Sequence, residues 1–303
     1  MMSTKRLWTM GLNMSLGVGF SIGLTFSIGL MGASGIGEAE VKRGAAEPSG
    51  GATQLREGDK FKPAKDAKLQ LEELFKGPEL NRSLWNTDLK VFGRWGDRYH
   101  NSSYLNYLSD EDVLLEKGHL RLRAERRSVE GDNPPGAYDY SAGMISSHDK
   151  FTFRYGYVEI RARFPGGKGV WPAFWLMPQA HQWPPEFDVA EYYAGRKMMH
   201  LGLCHGDFPE INWDSGANDD VNFEGEWNTY GLLWLPGYAA WIQNGVVKRT
   251  ARGPHVPSIP MYVILSNGVS SRIGPSDEPD GATVFPNYFE VEYLKVWDPP
   301  QAN

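Results

Sequence analysis

Residues 156–164 read GYVEIRARF. Val158, Ile160, Ala162 and Phe164 alternate with Glu159, Arg161 and Arg163, the period-two pattern of a strand with one face in a core and the other in water. Upstream, Leu120, Leu122 and Ala124 alternate with Arg121, Arg123 and Glu125 in the same way. Downstream, Asn244-Gly245 interrupts residues 241–250 with a strong two-residue hairpin signal. Residues 261–265 and 288–297 add runs of β-branched and aromatic side chains. After residue 80 no segment keeps a helical period over three turns, and strands do not alternate with helices. The pattern predicts an all-β antiparallel sandwich.

Composition agrees with a turn-rich β protein. The 303 residues include 35 Gly and 20 Pro, the punctuation that short strands require, with 11 Trp, 14 Tyr and 14 Phe. A hydrophobic share of 41% and a charged share of 22% suit one sizeable globular domain. Lys and Arg total 31 against 37 Asp and Glu, a formal charge of −6. No net basic charge is available for a polyanion, so nucleic acid is excluded as a partner. The single cysteine, Cys204, rules out an intramolecular disulfide framework and any cysteine-based zinc cluster. Neither Gly-x-Ser-x-Gly nor His-Glu-x-x-His occurs, which removes the usual serine-hydrolase and zinc-hydrolase readings.

Residues 1–37 carry Lys5 and Arg6, then an uncharged stretch from Gly11 to Ala33 that ends in small residues. This reads as a secretory signal peptide, with an uncleaved membrane anchor as the alternative. A secreted chain, extracellular or periplasmic, follows; losing Lys5 and Arg6 would take its charge from −6 to −8. Residues 38–66 have almost no large apolar side chains and read as a disordered linker. Leu69, Leu71 and Leu74 fit either a short helix or an opening strand. The domain proper is expected over residues 67–303.

Three carboxylates interrupt an apolar, strand-like run at residues 183–193, WPPEFDVAEYY. On a regular strand Glu186 and Asp188 share a face and Glu191 points to the other. One extra residue in a β-bulge would bring Glu191 round to join them. Three neighbouring acids repel one another, which raises the pKa of at least one. Upstream, Trp171, Ala173 and Trp175 share one strand face. Carboxylate pairs and aromatic faces together point to glycoside chemistry, in which one acid protonates the leaving oxygen and the other attacks. Retention requires carboxyl groups about 5–5.5 Å apart, whereas residues four apart on a straight strand are separated by about 13 Å at the backbone. The strand must curve for the two glutamates to meet.

The segment Glu186-Phe187-Asp188-Val189-Ala190-Glu191 resembles the bulged, laminarinase-like Glu-x-Asp-x-x-Glu signature of glycoside hydrolase family 16. Residues 141–147, 151–165, 171–178, 227–234 and 289–297 resemble further family segments in the family's order. The resemblance implies a curved β-jelly-roll with a substrate cleft on its concave sheet and a secreted, endo-acting, retaining β-glycanase. It makes Glu186 the nucleophile, Asp188 the assisting acid and Glu191 the general acid/base. It places Trp171, Trp175, Trp183, His205, Tyr104 and Asn106 as substrate-binding residues, with Tyr107 beside them. His200 is the rival to His205, and because Met199, Leu201, Leu203 and His205 share a face, the two histidines point opposite ways. The expected substrate is a β-1,3- or β-1,3/1,4-glucan. Ser266-Asn267-Gly268-Val269-Ser270-Ser271 and Met144 depart from common laminarinase residues, so galactan hydrolysis of the agarase, porphyranase or carrageenase type stays open as an alternative. So do a transglycosylase and a non-catalytic carbohydrate-binding sandwich. No cofactor or catalytic metal is expected, and Glu292 stands where an Asp would ligate the family's structural calcium, so no calcium site is assigned. A monomer is expected.

Overall fold

A computed structural model describes residues 54–89, 98–99, 101–180, 182–207, 209–218 and 223–300. The expected signal or anchor and most of the expected linker lie outside them. Among the described residues no helix is long and apolar enough to cross a membrane. The strands in chain order are β1 (Leu69–Glu73), β2 (Asn106–Leu108), β3 (Val113–Glu116), β4 (His119–Glu125), β5 (Val129–Asp132), β6 (Pro135–Tyr138), β7 (Tyr140–Ala142), β8 (Met144–Ser146), β9 (Gly156–Arg163), β10 (Val170–Pro178), β11 (Glu186–Tyr193), β12 (Met198–Asp207), β13 (Glu210–Asn218), β14 (Trp227–Leu235), β15 (Tyr238–Gln243), β16 (Val246–Arg252), β17 (Met261–Val269) and β18 (Asn287–Trp297).

Among the described residues, ten strands make one sheet with the main order β16-β15-β14-β9-β18-β4-β7-β2, β1 and β3 pairing with β18 and β4. Six make the other, β13-β12-β11-β10-β17-β8, and β5 and β6 form a separate hairpin. Pairing across the six-stranded sheet is antiparallel throughout, while β2 meets β7 in parallel. The core lies between the sheets. Val158, Ile160 and Ala162 of β9 and Leu232 and Trp234 of β14 pack in one cluster with Phe174 and Leu176 of β10 and Phe187 and Tyr192 of β11. The alternation read from residues 156–164 thus faces inward at its apolar positions.

Two local readings resolve. The segment open to helix or strand is β1, antiparallel to β18. The linker expected over residues 38–66 is corrected at its C-terminal end. Gly58 donates its backbone N–H to the Val247 carbonyl and Phe61 to that of Gly245, against the edge strand β16. Tyr238 donates its hydroxyl to the Leu55 carbonyl. The cause lies on the larger sheet's outer face, where Tyr157, Leu233, Leu235, Ala240 and Ile242 form an apolar patch that Leu55 and Phe61 cover. Two apolar side chains suffice to dock a segment whose composition looks solvated.

Candidate active site

The β10–β11 register shows how the acids meet. Ala173 faces Glu191, Phe174 faces Ala190 and Trp175 faces Asp188, so Val189 is an extra residue on β11. Val189 and Ala190 are therefore both buried in the core cluster, where strict alternation would have sent one of them outward. The bulge turns Glu191 onto the face of Glu186 and Asp188. Trp241, from β15 of the opposing sheet, donates its indole N–H to the Asp188 carbonyl at 2.8 Å, so the backbone at the bulge is satisfied across the core.

Each glutamate has its own donors. Trp183 Nε1 donates to Glu186 Oε2 at 2.7 Å. Trp171 Nε1 donates to Glu191 Oε1 at 2.9 Å and the Tyr193 hydroxyl to Glu191 Oε2 at 3.3 Å. His200 Nδ1 lies 2.8 Å from Glu191 Oε2, a donor whenever that nitrogen carries the ring proton. The imidazole stacks on Tyr193 with centroids 5.5 Å apart. Asp188 Oδ2 is buried without a hydrogen-bond partner among the described residues, 3.7 Å from His200 Nδ1. Gly202 sits under these groups, since a Cβ there would lie 2.5 Å from His200 Cε1 and 2.8 Å from Asp188 Oδ2.

Desolvation pushes the Glu186 carboxyl up to about 7; a hydrogen bond from Asp188 opposes the rise, and the Glu191 charge adds to it. Burial pushes Asp188 well above the carboxylate range, reinforced by the charges of Glu191 and Glu186 and by its hydrogen bond to Glu186. Asp188 is thus the group that keeps a proton, and it donates that proton toward Glu186. Burial, then the charges of Glu191, Glu186 and Asp188, push the Tyr104 hydroxyl up as well.

Asp188, Glu191 and His200 each offer a metal-ligand atom within 4.8 Å of the others. Both Glu191 oxygens already accept hydrogen bonds and Asp188 is committed to Glu186, a donor set suited to proton exchange. At the position matched to the family's calcium ligand, Glu292 forms an ion pair with Arg161.

The structure brings some of the expected binding residues to the acids and separates others. Tyr104 stacks on Trp171 with centroids 4.3 Å apart and planes 11° apart, covering one indole face. Gly268 makes this stack possible, because a Cβ there would lie 2.6 Å from the Tyr104 ring. Tyr104, Asn106 and Trp175 do meet, around a small apolar cavity also lined by Met144 and Ser266. Trp175 is only 5% exposed and reaches Ser266 Oγ at 3.3 Å, so it packs beneath the cleft and offers no open face. Asn106 is corrected to a structural residue: it is buried, and its side-chain oxygen accepts the Val269 N–H at 2.7 Å. Tyr107 turns away to donate to Asp132. His205 is also corrected, since its ring packs on His255 with centroids 4.6 Å apart. It shares the core-side face of β12 with Met199, Leu201 and Leu203, which leaves His200 on the acid side. His200, the rival of His205, is the histidine at the acids, and Tyr193 and Gly202 are the residues the sequence reading missed.

Glycosyl hydrolases family 16 matches residues 101–283. The chain belongs to this family. Among relatives, the glucan endo-1,3-beta-glucosidase of Cryptopygus antarcticus is 30% identical over 258 residues, covering 76% of this chain and 91% of that protein. The endo-1,3-1,4-beta-glycanase EglC of Rhizobium meliloti (strain 1021) is 27% identical over 199 residues, covering 66% of this chain but only 42% of its own length. The catalytic domain of an endo-1,3-beta-glucanase (laminarinase) from Thermotoga petrophila RKU-1 shares the fold, with a TM-score of 0.69 at 23% identity over 78% of this chain and 100% of that one. The two-sheet arrangement is the family's curved jelly-roll sandwich, and β11 with its bulge lies inside the family-matched region.

Proposed function

We propose that this chain is a secreted, extracellular or periplasmic, endo-acting hydrolase of β-1,3- or β-1,3/1,4-glucans that works by retaining double displacement. The observation that carries the reading is the extra residue at Val189, which sets Glu186, Asp188 and Glu191 on one face, with an indole donor on each glutamate. In the first step Glu186 attacks the anomeric carbon while Glu191 protonates the departing glycosidic oxygen, leaving the sugar esterified to Glu186. In the second, Glu191 takes a proton from water, whose oxygen displaces Glu186 and restores the starting configuration. Asp188, holding its proton in the hydrogen bond to Glu186, adds no further negative charge beside the nucleophile and shifts charge on it as the ester forms and breaks.

Glu186→Gln and Glu191→Gln are each expected to lower kcat by at least about 10³-fold while the fold is retained. Assays on laminarin, lichenan, agarose, porphyran and carrageenan with product sizing test the substrate class, and proton NMR of the first anomer tests retention. A variant of either glutamate with near wild-type turnover overturns the role assignment, and an inverted product overturns the mechanism. Cleavage of galactans alone would move the substrate to that class, and products longer than the substrate would make the enzyme a transglycosylase.

A further inference from the structure

The register across β11, β12 and β13 carries the acid-bearing face beyond the acids. Glu186 pairs with Cys204 and Cys204 pairs with Trp213, so the three side chains stand on one face in a row across three strands. The next row is Asp188, Gly202 and Ser215. Trp213 is 48% exposed and is the one aromatic among the large exposed apolar side chains of the described residues. An indole in water forgoes the stabilisation that burial would give, so its position needs a cause.

The cause is visible on the other face of β13. Asp214 forms an ion pair with Arg249 of β16, and His255 Nε2 lies 3.7 Å from it. That contact ties the edge strand to the opposing sheet, and alternation then directs Trp213 outward. On the acid side, the His200 ring stands 6.4 Å from the Trp213 ring at 62°. Gly202 adds no side chain between them. Beyond the acids in the other direction lies the Tyr104–Trp171 stack. Aromatic surface therefore flanks the carboxylates on both sides.

We propose that Trp213 is a stacking platform for a neutral hexopyranose unit on the β13 side of the scissile bond, and that it makes cleavage depend on chain length. The proposal rests on the glycanase reading above. A pyranose ring presents an apolar face of C–H groups that matches an exposed indole, and the charged partners of β13 point away from this face. A chain cut internally is held on both sides of the broken bond, and a short oligosaccharide does not reach both flanks.

The test compares wild type, Trp213→Ala and Trp213→Phe on β-1,3- and mixed-linkage gluco-oligosaccharides of three and six units. Migration in gels containing laminarin or lichenan is measured in parallel. Trp213→Ala is expected to lower the ratio of kcat/KM for hexamer over trimer by about tenfold, chiefly through KM, with Trp213→Phe restoring most of it. If wild type hydrolyses glucans and Trp213→Ala keeps the hexamer preference, the platform is overturned and the glycanase reading stands. If wild type hydrolyses nothing yet is retarded in the gels and Trp213→Ala is not, the platform is supported and the hydrolase reading falls. If wild type shows neither hydrolysis nor retardation, both are overturned.

Discussion

Burial acts on Glu186 and Asp188 in the same direction, and the hydrogen bond between them divides the outcome. Asp188 keeps its proton, while Glu186, with Trp183 on Oε2, can ionise near neutrality. A glutamate raised from 4.5 to about 7 stabilises the fold fully below 4.5 and loses that contribution as pH rises through 7. For a partly exposed group the loss is of order 2 kcal/mol. Glu186→Gln, neutral at every pH, is therefore expected to melt above wild type at pH 8, with the gap closing at pH 5. Thermal melts at the two pH values check this, and a pH-independent gap contradicts the assignment. The acids themselves were legible, since three carboxylates in an apolar strand have few structural uses. Their histidine was not. Period-two alternation says that His200 and His205 face opposite ways, but only the packing of Met199, Leu201 and Leu203 into the core decides which of them meets Glu191.

At the scale of elements, β11 carries both core and chemistry. Phe187, Val189, Ala190 and Tyr192 pack inward and the acids point outward. The bulge could be anticipated because without it the acids do not converge. Its support could not, because Trp241 is far away in sequence on β15 and looks like one more core aromatic. Removing the indole donor with Trp241→Phe takes a buried hydrogen bond from the Asp188 carbonyl, at a cost of about 1 kcal/mol. Since that carbonyl belongs to the bulge, the variant is expected to lower kcat more than it raises KM. Steady-state kinetics beside urea unfolding test this, and a purely destabilised enzyme with unchanged kcat would limit Trp241 to a packing role. The docked segment at residues 55–61 was hidden for a related reason. The patch it covers belongs to strands distant in sequence, so its own composition reads as solvated.

For the whole molecule, Glu290 on the larger sheet and the acids Glu186 and Asp188 on the smaller one are shifted in opposite senses. On the ten-stranded sheet, burial pushes the Glu290 carboxyl up, but hydrogen bonds from Arg163, His119 and Arg121 outweigh it and hold the pKa below its ordinary 4.5. That contribution is complete above 4.5 and is lost as pH falls through the folded value. Glu186 and Asp188 act in reverse, favouring the fold at low pH. Thermal stability is expected to peak in mildly acidic solution and fall on either side, while turnover rises as Glu186 ionises near 7. Calorimetry and kinetics over pH 3–9 check the displacement, and coincident maxima refute it. The enzyme would then be most robust where Glu186 is still protonated. The sandwich as a whole was readable from alternation, because each buried strand repeats the same rule, whereas the site depends on one departure from that rule. Gain or loss of one codon between those for Asp188 and Glu191 would therefore silence the chemistry while all three acids stayed in the sequence. Among descendants of such a gene, counting residues between the glutamates is a sharper guide to lost activity than comparing which residues they are.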